Sequence, residues 1–320
     1  MKNLKITTAV LLFALALGAC KKNNDTPFNK VNNSKEFIEE KGPKVQRIKI
    51  NTQVDNEVKL SGGTVITFKK NSFTKNGQPV TGDVIIETYE MLNRRDVLMS
   101  GTNTNHVSGA PLISHGFIFV DAKVNGQSVD KTLSAPITVS IPANGNDFTQ
   151  IWEGVVNDNG QFAWNGIVGA NGNANDFAVK ANRGTDSFIF DFGNLGWINC
   201  DVFYSSSNPK TTVRVTVANN PGSMASFMAG NGETFVYFCA KGENVAAQLY
   251  NQDGPNTVKS YDDSMPIGAI GKFISFSIKD GKFYYAEQET TITANQNLTL
   301  TLTETTEAAI QTALDNLNNY

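Results

Sequence analysis

Apolar and polar positions alternate with a period of two along most of this chain, the mark of half-buried strands. Ile48 and Ile50, Ile66 and Phe68, and Ile137, Val139 and Ile141 each line up branched or aromatic side chains on one face. Val84 to Tyr89 and Phe117 to Val124 are almost continuously apolar, which predicts buried strands. Asn76-Gly77, Asn125-Gly126, Asp158-Asn159-Gly160 and Asp280-Gly281 punctuate these runs with turn residues, and Pro142 stops the strand before it. Strand-like segments recur after residue 185, at 187–192, 197–204, 212–217, 234–239, 246–250, 272–278, 282–286 and 298–302. Helical spacing is rare. Ile310, Ala313, Leu314 and Leu317 form one apolar stripe, with Glu304 and Glu307 near its start where the helix dipole favours negative charge.

This pattern predicts an all-β protein of two tandem β-sandwich-like domains with a short C-terminal helix. The expected boundaries are a signal at 1–19, a polar tether at 20–43 with a helical turn from Ser34 to Glu40, and a first domain at 44–170. A Gly/Asn-rich linker at 171–184 and a second domain at 185–320 follow.

The first residues change the picture most. Lys2 and Lys5 precede an apolar run from Ile6 to Leu17, and the run closes on Leu17-Gly18-Ala19-Cys20. That is the layout of a secretory signal, too short to span a bilayer, which takes about 20 residues. The ending resembles the bacterial lipobox, whose cysteine is lipidated on its thiol and becomes the first residue after cleavage. The resemblance makes Cys20 the lipidation site and the membrane a partner. Acyl chains contribute about 0.8 kcal/mol per buried CH₂, and two or more anchor stably. Lys21 in place of an Asp points to the outer membrane under the enterobacterial sorting rule.

Cleavage before Cys20 leaves 25 basic residues against 30 acidic, a net charge of −5. No basic block is available to neutralise a run of phosphates, so nucleic acid is not an expected partner. Two cysteines remain, Cys200 and Cys239, both in apolar strand-like stretches. They are candidates for a disulfide in an oxidising compartment, or for inert core thiols. No His or Cys sits at metal-ligand spacing, so neither a metal nor a cofactor is expected.

A second resemblance concerns the first domain. Gly62-Gly63-Thr64-Val65-Ile66-Thr67-Phe68, then Asn71-Ser72-Phe73, then Gly82-Asp83-Val84-Ile85-Ile86-Glu87, resembles a ZU5-like β-domain. Lys69-Lys70 stand where that family often has Pro. Gly116 to Ala122, Ile137 to Pro142 and Leu195 to Asp201 extend the likeness to two-domain envelope lipoproteins of Bacteroidota-type bacteria. The resemblance implies a β fold at the cell envelope with a protein- or matrix-binding role, and it brings no catalytic residue with it.

Catalytic patterns are thin. Ser128-Val129-Asp130-Lys131 and Ser207-Asn208-Pro209-Lys210 have Ser-x-x-Lys spacing, without the companion motifs of penicillin-recognising enzymes. His106 reads as a solvated loop residue and His115 as a hydrogen-bonded histidine at a strand mouth. Glu87 with Glu90 and Asp262 with Asp263 are ordinary strand-end and turn carboxylates. Asn171, Asn173 and Asn175 imitate a calcium loop but lack its Gly and its final Glu. Trp152 and Trp164 flank one hairpin and are the candidates for stacking on a glycan. The sequence therefore favours a lipid-anchored, non-enzymatic binding or scaffolding module with envelope proteins or surface glycans as partners. A glycan-binding lipoprotein of a nutrient-uptake system, and a hydrolase with an unrecognised site, are the alternatives.

Overall fold

The computed structural model describes residues 31–156, 161–167, 178–204, 207–225 and 232–320. Residues 31–320 form one compact unit. Cys20, the Asp158-Asn159-Gly160 turn and the calcium-like asparagines lie outside the described residues.

The chain is all-β, and its strands build two sandwiches. In the first, β1 (Gln46–Asn51), β4 (Asp83–Met91), β5 (Leu112–Val124), β10 (Gly196–Phe203), β7 (Phe148–Val156) and β8 (Phe162–Gly166) lie side by side in that order. The facing sheet runs β9 (Ser187–Asn194), β6 (Thr132–Pro142), β3 (Val65–Phe68), β2 (Asn56–Lys59). In the second sandwich, β12 (Thr234–Ala240), β15 (Ile270–Lys279), β16 (Lys282–Thr291) and β18 (Thr303–Thr305) make one sheet. The other comprises β13 (Asn251–Gly254), β14 (Thr257–Lys259), β11 (Arg214–Ala218) and β17 (Asn297–Thr301). Among the described residues the ladders between these strands are antiparallel except β11 with β17. The turn residues behave as their chemistry dictates: Asn76-Gly77, Asn125-Gly126 and Asp280-Gly281 all take positive φ, the backbone a tight hairpin needs.

The alternating positions point inward as expected, with Ile137, Val139 and Ile141 fully buried between the first pair of sheets. The strongly apolar strands have a different explanation. Along β12, Val236 and Phe238 enter the second sandwich's own core, while Phe235, Tyr237 and Cys239 enter a third core. That third core also receives Phe117 from β5, Trp152 from β7 and Trp164 from β8. The sheets therefore stack four deep, and the middle two are covered on both faces. Continuous apolar sequence is what such strands require.

Two expected boundaries change. Strands β9 and β10 lie beyond the 171–184 segment, yet β9 pairs with β6 and β10 pairs with β5 and β7. The first sandwich thus extends to Phe203, because pairing between distant strands, not local composition, decides membership. Likewise 31–43 belongs to the folded body and not to a tether. Helix α1 (Ser34–Lys41) is capped by Asn33, whose side chain accepts from the Glu36 amide at 2.9 Å, and it buries Phe37 and Ile38 in the shared core. Gly42 ends it against Met99, where a Cβ would stand 2.1 Å from the carbonyl oxygen, so only glycine fits. Helix α2 (Arg94–Met99) was not evident from the sequence. Helix α3 (Glu307–Asn316) is, and it buries Ile310 and Leu314.

Candidate functional site

A cleft of about 410 Å³ opens where the two sandwiches meet. Its first wall comes from the start of α2, from Ser114 and His115 on β5, and from the turn carrying Asn144 and Asn146. Gly242 to Asn244 after β12, and Asn318 to Tyr320, make the other wall.

Arg94 fixes the two walls together. Asn93 caps α2 by accepting from the Asp96 amide at 2.9 Å, which aims the next side chain across the junction. Arg94 is 4% exposed, and its guanidinium donates to the carbonyls of Leu317 at 2.8 Å and Ala240 at 2.9 Å, and to that of Glu243. Burial lowers its pKa. Its Nε has no partner among the described residues. A planar fork serving three carbonyls is a task that lysine cannot perform.

Below the cleft the loop after α2 is laced to the second sandwich. The Thr104 amide donates to Ala246 O at 3.0 Å, and Asn105 exchanges hydrogen bonds with Gln248 through its Nδ2 at 3.1 Å and its Oδ1 at 2.9 Å. Tyr237 donates to Thr102 O at 3.2 Å.

Two titratable groups sit beside this seam. His115 is 9% exposed, stacks on Phe188 at 5.5 Å, and has a buried Nδ1 without a partner among the described residues. Burial pulls its pKa down to about 4, so the imidazole is neutral at physiological pH. Asp201 is fully buried on β10, directly opposite Ser114. Burial pushes its carboxyl up to about 8, against the opposing pull of Ser114, Asn199 and the His115 amide. None of these closes a well-formed hydrogen bond to either oxygen. Both amide atoms of Asn199, two residues away on the same strand, are also buried without partners among the described residues.

Ser, His and Asp thus come close without forming a nucleophile. Ser114 and His115 are neighbours on one strand; Ser114 faces the seam and His115 faces Phe188 in the first core. The Ser114 hydroxyl accepts from Gly116 N at 3.2 Å. The imidazole has no orienting carboxylate among the described residues.

The remaining sequence candidates are placed elsewhere. Trp152 and Trp164 are 4% and 0% exposed, so they do not form a glycan platform. Each indole N–H donates inward, Trp152 to Asp201 O at 2.9 Å and Trp164 to Asn103 O at 2.8 Å, and both rings fill the shared core. They are not cross-strand partners: Trp152 faces Gly166, and Gly154 faces Trp164. Cys200 and Cys239 are both free, not bonded. Cys200 points into the first sandwich's core and Cys239 into the shared core, so their thiols lie in different layers. Burial raises both, Cys239 to about 12.

His106 is half-buried, packing on Trp152 at 5.2 Å and Phe203 at 5.0 Å, and its Nδ1 bonds Ser108 at 2.7 Å. Glu87 pairs with Arg47 and Lys123, while Glu90 accepts from the amides of Gly62 and Thr64. Ser128 donates to Asp121, and Lys131 pairs with Glu153. Among the described residues no group of three His, Cys, Asp or Glu side chains is arranged to hold a metal ion.

The sequence offered no signal for Arg94, Asn244 or Tyr320, because the cleft exists only where two distant segments meet. No family model matches the chain, and no curated protein matches it.

Proposed function

We propose that the protein is a lipid-anchored component of the outer membrane that acts as a non-enzymatic binding or scaffolding module, its first sandwich ZU5-like. The observation that carries this reading is the short interval between two features. Leu17-Gly18-Ala19-Cys20 ends the signal-like segment, and Val31, only 4% exposed, already belongs to the packed body. Ten residues separate Cys20 from it.

The cleft supports binding over catalysis on physical grounds. An efficient general base titrates near the working pH. His115, at about 4, is far below that range, and Asp201 is sealed from solvent. The guanidinium of Arg94 is already committed to backbone carbonyls. What the walls offer a ligand is the carboxamides of Asn144 and Asn319, with Oδ1 of Asn146 and Nδ2 of Asn318, whose other amide atoms are bound to Ala143 O and the Arg95 amide. A polar partner group, such as a loop or chain end of another envelope protein, suits such a lining.

Metabolic labelling with a radioactive fatty acid tests the anchor. The wild-type chain should take up label and fractionate with membranes, and Cys20→Ala should do neither. Equal labelling of the variant would contradict the reading.

A further inference from the structure

We infer that the protein stands on the lipid headgroup surface by the end of its second sandwich that carries the Asp280-Gly281 turn, with the cleft held at the opposite end. This rests on the lipid anchor proposed above and adds an orientation to it.

The direction of the chain as it enters the body is the decisive feature. Asn33 bridges Lys279 in antiparallel register. The Ile278 amide donates to Ser34 Oγ at 3.1 Å, and the Gly281 amide donates to Asn32 O at 3.1 Å. Moving back from Ser34 to Asn32 therefore runs outward from Ile278 to Gly281, toward the tip of the β15–β16 hairpin. This entry is docked firmly: Ser34 donates to Glu233 O at 2.5 Å, and Phe37 meets Phe283 edge-on at 5.9 Å.

The ten residues between Cys20 and Val31 reach at most about 35 Å when fully extended. The other end of the hairpin, where Ile270 faces Thr291, is roughly 30 Å from the tip along the strands. Resting the body on that far end would draw the ten residues almost straight, at a large cost in chain entropy. Resting it on the tip requires no such extension.

The same register positions the cleft. Thr234 at the start of β12 pairs with Ser277, and Ala240 at its end pairs with Gly271. Glu243 and Asn244 follow Ala240, so the cleft opens at the end of this sheet away from the tip.

Two single-site labels test the orientation in full-length lipidated protein reconstituted into vesicles containing headgroup nitroxide lipid. Buried Cys200 and Cys239 leave Lys282→Cys, near the tip, and Thr291→Cys, at the far end, as the reactive thiols. Lys282 loses only an exposed pair with Glu304, which contributes little to stability. With about 30 Å between the sites, quenching at 282 should exceed that at 291 by about twofold or more. Equal or stronger quenching at 291, in protein that floats with the vesicles, overturns the orientation alone. Wild-type protein that fails to float, or Cys20→Ala protein that floats equally well, overturns the anchor and the orientation together.

Discussion

Ser114 and Asn244 hold each other at both ends: the Ser114 amide donates to the Asn244 carbonyl at 2.9 Å, and the Asn244 carboxamide donates back to the Ser114 carbonyl at 2.9 Å. One residue belongs to the first sandwich and the other to the second. With the shared core beneath them, this exchange makes the two sandwiches one mechanical body. Urea unfolding followed by tryptophan fluorescence and by far-UV circular dichroism should therefore give a single coincident transition. Asn244→Ala should lower stability by about 1–2 kcal/mol. Two separated transitions in the wild type would show the sandwiches to be independent.

Arg94 makes a sharper prediction. Arg94→Lys keeps the charge but loses the fork that serves the carbonyls of Leu317, Ala240 and Glu243, of which Leu317 O keeps the Tyr320 amide at 3.3 Å and Glu243 O the Val245 amide at 2.8 Å. Each hydrogen bond to a charged donor contributes about 1.5–3 kcal/mol, so the variant should lose at least one such increment. Hydrogen exchange should accelerate at Leu317 to Tyr320 and at Gly242 to Asn244, with the β2–β3 hairpin unchanged.

The buried carboxyl of Asp201 sets a pH dependence. A folded-state value of about 8, against about 3.9 unfolded, means the folded chain keeps a proton that the unfolded chain has released. Stability from this group therefore falls as pH rises from about 4 to 8. His115 acts oppositely: its folded value of about 4 lies below the ordinary 6.5, so stability from it rises with pH across that interval. The two nearly offset each other up to about pH 6.5 and leave Asp201 alone above it. The groups facing Asp201 are Ser114, Asn199, Cys200 and the His115 amide, none of them charged near neutrality. Asp201→Asn should abolish the decline between pH 6.5 and 8 and raise stability at pH 8 by a few kcal/mol, read by denaturation at stepped pH. A decline of unchanged slope in the variant would contradict the assignment.

The thiols supply a simple check. Native protein should carry two unreactive free thiols from Cys200 and Cys239, titrating with a disulfide reagent only after unfolding. An intact mass two daltons lighter would show the bond that the layer geometry rules out.

The tryptophans test the core. Trp164→Ala should cost about 3–5 kcal/mol, and acrylamide should quench native Trp152 and Trp164 weakly, since both rings are enclosed. Strong quenching of either would reopen the question of a glycan platform.

Much of the fold was legible because its signals are local. Ile137, Val139 and Ile141 alternate into one core, and Asn125-Gly126 and Asp280-Gly281 take the left-handed backbone that their residue types favour. What stayed hidden is non-local. Nothing near Ser187 to Phe203 tells which sheet will accept it, so a Gly/Asn-rich stretch passed for a domain linker. Phe37 and Ile38 are two apolar residues in a charged octet, too few to announce that α1 plugs the shared core. Aromatic content cannot distinguish a tryptophan that lines a groove from one that fills a layer. The cleft was least legible, because Arg94, His115 and Asn244 meet only after both sandwiches have folded.

The proposed anchor is tested most directly by the mass of the mature amino terminus in protein extracted from membranes. A chain beginning at Cys20 and heavier by a diacylglyceryl group with its acyl chains is the expected result. An unmodified amino terminus, on protein recovered from the aqueous fraction, would contradict the account.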